Sequence, residues 1–174
     1  ERDGYEAALA EACAQAGDES GIAVHGCRAS TAWDPTRAHA AAVAQARRWA
    51  SRYSLEFAEG YVELARAVRR LVPFEGLERL DILLFEGDLL TQLHRDYEAR
   101  ATLREAAELA RELGRPLDLA RIAMSFGLGH EHGYAHDPEV VFVLKEALDE
   151  APAGEHATRA KLLARMAWQS LASH

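Results

Sequence analysis

LLFEGDLLTQLHRDYEARATLREAA, residues 83–107, is the stretch that decides the fold. Ala99, Leu103 and Ala106 are spaced four and then three, which puts them on one face of a helix. The same trio recurs every 41 residues: Ala58, Ala99 and Val140 form one series, Val62, Leu103 and Leu144 a second, and Ala65, Ala106 and Ala147 a third. Upstream, Ala46 and Gly87 are also 41 apart, and Gly127 follows after 40. Such a period marks stacked helix pairs. Helices cross closely only where the facing side chains are small, so recurring Ala and Gly mark the crossings. One pair alone would leave its apolar face wet, and stacking covers it. The expected fold is all-α, a right-handed α-solenoid of about nine helices.

Capping residues set the boundaries. Asp34-Pro35 and Asp137-Pro138 each offer a carboxylate cap followed by Pro at the first helical position. Asp3 with Glu6 has the spacing of a capping box, and Asp96 is a third candidate cap. Gly114 closes one helix and Arg115-Pro116 opens the next. Strand alternation is nearly absent. The expected helices span 4–16, 19–31, 35–51, 54–71, 75–93, 96–113, 116–129, 138–150 and 155–172. They make a single domain over 1–174: a degenerate pair at 1–33, repeats at 34–73, 74–114 and 115–152, and a terminal helix. Projected backwards, the period lands on Gly17, Gly21 and Val24, so two Gly fall inside the first expected pair.

Composition narrows the function. The net charge of −8 argues against a general nucleic-acid binder, which needs a basic face. Residues 1–34 carry −5 and residues 35–73 carry +4. Cys13 and Cys27 have no metal-ligand spacing, and Cys13 among alanines reads as a small core residue. No apolar run spans a bilayer and no leader opens the chain, so a cytoplasmic setting is expected. Two Lys against eighteen Arg, with abundant Ala, is the bias of a GC-rich bacterial coding sequence. The chain starts without Met and ends directly after a helical pattern, which reads as a piece of a larger protein.

Residues 80–113 resemble a tetratricopeptide repeat through Leu83, Gly87, Leu90, Ala99, Leu103 and Ala106, with Asp96-Tyr97-Glu98-Ala99 opening its second helix. Residues 35–73 resemble it through Ala42, Ala46, Trp49, Ala58, Val62, Ala65 and Pro73, and residues 116–152 through Gly127, Val140, Leu144, Ala147 and Pro152. The longer, Ala- and Arg-rich form is similar to the helical-repeat region of large bacterial regulators, LuxR-type transcriptional regulators with a MalT-like plan. The resemblance implies a sensor and interaction surface lying between an ATPase module and a DNA-binding domain. The chain itself has no GxxxxGK[ST] loop.

Three clusters are candidate sites. His130, Glu131, His132, His136 and Asp137 put three imidazoles and two carboxylates within eight residues, enough for a three-ligand Zn²⁺ site or for a polar loop whose Asp137 is a helix cap. Arg47, Arg48, Arg52, Arg66, Arg69 and Arg70 lie on two consecutive helices. They read as a patch for an acidic helix or phosphate, with Arg47, Arg48, Arg52 and Arg70 as partner-binding residues, or as a solvated face paired with Glu56, Glu59 and Glu63. Trp49 stands at a packing position, whereas Trp168 lies on the terminal helix, whose outer face is a possible homodimer contact. No catalytic constellation is evident. The expectation is a non-enzymatic module without cofactor, taking a protein segment or small inducer in its concave groove and making no direct contact with nucleic acid or membrane. The alternative is a small metal-binding or metal-dependent protein using the His130–His136 loop.

Overall fold

The computed structural model describes residues 2–72, 75–126 and 137–171, and every regular element among them is helical. Helix α1 spans Arg2–Ala16. Helix α2 is composite: α-helical over Glu19–Gly21, π-helical over Ile22–Gly26 and α-helical over Cys27–Ala29, with a 3-10 turn at Ser30–Ala32. Then follow α3 (Pro35–Ala50), α4 (Leu55–Arg69), α5 (Gly76–Gln92), α6 (Asp96–Glu112), α7 (Pro116–Ser125), α8 (Pro138–Glu150) and α9 (His156–Leu171).

The chain divides into two compact units, residues 1–75 and 76–174. In the first, α3 and α4 form an antiparallel hairpin, α2 lies against α3, and α1 covers α2. Its core is dominated by alanine: Ala38, Ala41, Ala42 and Ala65 close on Ile22 and Val68. In the second unit α5 and α6 form a hairpin, α7 packs on both, α8 packs on α7, and α9 packs on α7 and α8. Larger side chains fill this core, among them Leu83, Leu103, Ile122, Phe126, Leu144 and Leu162.

Ala46, Ala58, Ala65, Gly87, Ala99, Ala106, Val140 and Ala147 are all buried. Gly87 shows the reason most directly, since a Cβ there would stand 2.5 Å from Cδ2 of Leu103. Gly127 lies outside the described residues.

The period is also written in the turns. Tyr53 and His94, 41 residues apart, both adopt left-handed backbone, with φ of 58° and 57°. In each case the following amide bonds back across the turn, Ser54 N to Trp49 O at 3.1 Å and Arg95 N to Leu90 O at 2.9 Å. This closure satisfies carbonyls that a helix end leaves open. Gly17 and Gly114 close α1 and α6 in the same way.

Several boundaries differ from the sequence reading. Gly17 is a turn residue; Gly21 is helical, and its missing Cβ leaves room for Cys13 Sγ. Asp34 and Asp137 cap α3 and α8 as expected, each accepting from two backbone amides. Asp96 does not cap α6: it is the first helical residue and Arg95 occupies the cap. Asp3 does not cap α1, which already begins at Arg2, and Glu6 turns its carboxylate to His25 Nδ1 at 2.8 Å. The helix expected to run to 129 leaves helical geometry at Phe126, where ψ swings to 120°.

Candidate functional site

The arginines of the first unit do not form one patch. Helices α3 and α4 are antiparallel, so Arg47, Arg48 and Arg52 stand at the turn between them, while Arg66, Arg69 and Arg70 stand at the far end of α4. A 15-residue helix separates the two groups by about 20 Å. The structure therefore does not bring Arg70 to Arg47, Arg48 and Arg52. At the turn, Arg52 lies over the Trp49 ring, 5.9 Å from its centroid, and Trp49 stacks on Phe57. Trp49 is partly buried, and the Phe57 ring stacked on it is 62% exposed. At the far end, Arg66 pairs with Glu63 at 2.9 Å, and Arg69 acts on the buried imidazole of His39.

In the second unit, charge joins successive helix pairs. Arg100 bonds Asp137 and lies 5.6 Å from the centroid of the Phe126 ring; Arg104 grips Glu139 with bonds of 2.5 and 2.7 Å; Arg111 grips Glu146 with bonds of 2.6 and 2.7 Å. These contacts run in the same order along both helices, so α6 and α8 are parallel. Arg104 holds Glu139 below the usual carboxylate range. Desolvation pushes Asp137 up, but the Arg100 guanidinium and the two cap amides outweigh it and hold it low. Helix α7 is tied to α5 through Asp88, which accepts from Arg121 and Ser125 at 2.6 Å each.

Among the described residues, this unit carries two cavities of note. One of about 520 Å³ lies where the α6–α7 turn meets α8; its charges include Arg111 and Glu146, already bound to each other, and Arg115, bound to Asp118. The other, about 310 Å³, lies between α7 and α9 and is lined by Leu117, Ala120, Arg121, Met124, Thr158 and Lys161. Its floor is apolar and both of its ionisable groups are basic. No family model, curated protein or solved structure matches this chain.

His130, His132 and His136 lie outside the described residues. Among the described residues no group of three or more His, Cys, Asp or Glu is placed to hold a metal ion, and no helix is long and apolar enough to cross a membrane. The α7–α9 groove was missed in sequence. The available signal was spacing: Leu117, Arg121 and Met124 on one helix, and Thr158, Lys161 and Trp168 on another, each recur at helical intervals of three, four or seven. Only the packing of α9 beside α7 makes them one surface.

Proposed function

We propose that the chain is a non-enzymatic helical-repeat module of tetratricopeptide type, which binds a protein segment or small inducer on the surface formed by the first helices of its pairs. The observation that carries this reading is the 41-residue period, which recurs in the buried small residues and again in the left-handed turns at Tyr53 and His94. Repeats of this kind offer a continuous surface, and each new pair adds to it. The ion pairs linking α6 to α8 and α5 to α7 are what a stack needs to hold successive pairs in register.

In the bacterial regulators that the sequence resembles, such a module would sit between an ATPase and a DNA-binding domain. A ligand that prefers one arrangement of the stack would shift the population of the attached domains. Peptide mapping of the native polypeptide that contains this segment tests the assignment. A chain several times larger, with ATPase peptides upstream and helix-turn-helix peptides downstream, is the expected result. A free polypeptide of about this size would overturn it.

A further inference from the structure

The groove between α7 and α9 has the chemistry of a docking site for a particular kind of segment. Its floor consists of Leu117, Ala120 and Met124, with Leu117 46% exposed. Apolar side chains open to solvent beside convergent polar groups mark a binding surface. Its walls carry Arg121 and Lys161 and no carboxylate. Arg121 gives one bond to Asp88 yet keeps half its side chain exposed, and a guanidinium has five donors to share. Among the described residues no carboxylate lies within ion-pair distance of Lys161. In a chain of net charge −8, a groove whose ionisable walls are all basic selects an anionic partner.

Extent, rather than volume, selects the form of that partner. The groove's volume of about 310 Å³ falls within the roughly 300 to 1,000 Å³ of small-molecule sites, but it lies between helices of 10 and 16 residues, which suits an elongated segment. Two cations are too few to track a nucleic-acid backbone, whose binders neutralise many phosphates. Helix α9 extends the surface: Trp168, 48% exposed, lies seven residues beyond Lys161 and so on the same face.

We propose that the α7–α9 groove docks an acidic amphipathic helix of a partner protein, whose aliphatic side chains seat on Leu117 and Met124 while its carboxylates meet Lys161 and Arg121. This rests on the reading of the chain as an interaction module, and it specifies the partner.

The test uses the full chain and three fluorescein-labelled helical peptides of about 18 residues. All carry Leu at three-four spacing, flanked by Glu in the first, by Gln in the second and by Lys in the third. Anisotropy titration should show binding of the Glu peptide, weakened about ten-fold by Gln substitution, by Lys161→Glu or by Leu117→Ser, and weakened further by added salt. Circular dichroism of the two variants should match the parent, because Lys161 and Leu117 are exposed. Preference for the Gln or Lys peptide, lost in Leu117→Ser, would overturn the acidic chemistry while leaving the groove as an interaction surface. Equal binding of the Glu peptide by the parent and both variants would overturn the location. Absence of binding by all three peptides would overturn the docking proposal, whereas the interaction reading on which it rests falls only if peptide mapping finds a free polypeptide of about this size.

Discussion

Replacing Gly87 with alanine sets two known effects against each other. In an open helix interior the exchange stabilises by about 0.5–1 kcal/mol, because glycine loses more backbone entropy on folding. At Gly87 the new methyl would stand 2.5 Å from Cδ2 and 2.7 Å from Cγ of Leu103. Leu103 is 1% exposed and enclosed by the core of its unit, so it has nowhere to retract. Overpacking of this kind costs about 1–3 kcal/mol. The difference predicts a net loss of about 1 kcal/mol, or about 5 °C in Tm for a unit of this size. Gly60 is the control: it is helical with nothing within 4 Å of its added Cβ, so Gly60→Ala should stabilise. Urea and thermal unfolding of both variants provide the comparison. A third variant sharpens it, since Leu103→Ala alone should cost about 2–5 kcal/mol and the double exchange clearly less than the sum. If Gly87→Ala stabilised as much as Gly60→Ala, or if the double exchange were additive, the close crossing of α5 and α6 at this point would be refuted.

His39 gives the fold an acid limit. Burial, with a smaller contribution from the Arg69 charge, pushes its imidazole down to about 4. The unfolded chain takes up a proton near pH 6.5 and the folded one only near 4, so stability is fully present above 6.5 and declines as pH falls between these values, by about 3 kcal/mol at most. Urea midpoints should fall across that window and fall much less in His39→Gln; parallel profiles would count against the buried neutral imidazole. Cys27 is buried, donates to Ala38 O, and has its thiol pushed up to about 12 by desolvation. Iodoacetamide at pH 8 should therefore spare Cys27 in the folded protein and modify it in urea, as read by peptide mass; modification of the folded state at the rate of a free thiol would contradict the packing of α2 on α3.

The helix-pair pattern was legible because it rests on side-chain size. Ala58, Val62 and Ala65 must be small or aliphatic wherever helices cross, and that requirement repeats visibly in the chain. The Asp-Pro caps were equally readable, since the carboxylate and the proline act locally. Whatever depended on relative placement was hidden. Six arginines on two adjacent helices look like one patch in sequence, and the antiparallel hairpin carries them to opposite ends. Asp96 has the right residue type for a cap, but the left-handed His94 shifts the helix start so that Arg95 takes the position. Glu6 looked like a capping partner within its own helix, yet His25, 19 residues away, is its hydrogen-bond partner. The basic walls of the α7–α9 groove come from residues 40 apart, Arg121 and Lys161, and no local pattern joins them.

The π-helical turn at Ile22–Gly26 sets a rule for insertions and deletions in this part of the chain. A π turn amounts to one extra residue wound into an α-helix. In α2 that residue lets His25 face Glu6, and Gly26 lie so close to Ala38 that a Cβ would stand 2.9 Å from the alanine methyl. Removing one residue from the turn would restore ordinary winding and swing everything downstream by about 100°. Gly26 and Cys27 would then leave α3, and the core between these helices would lose its register. The 41-residue count stops being regular at this helix, where rotational phase and sequence length have come apart.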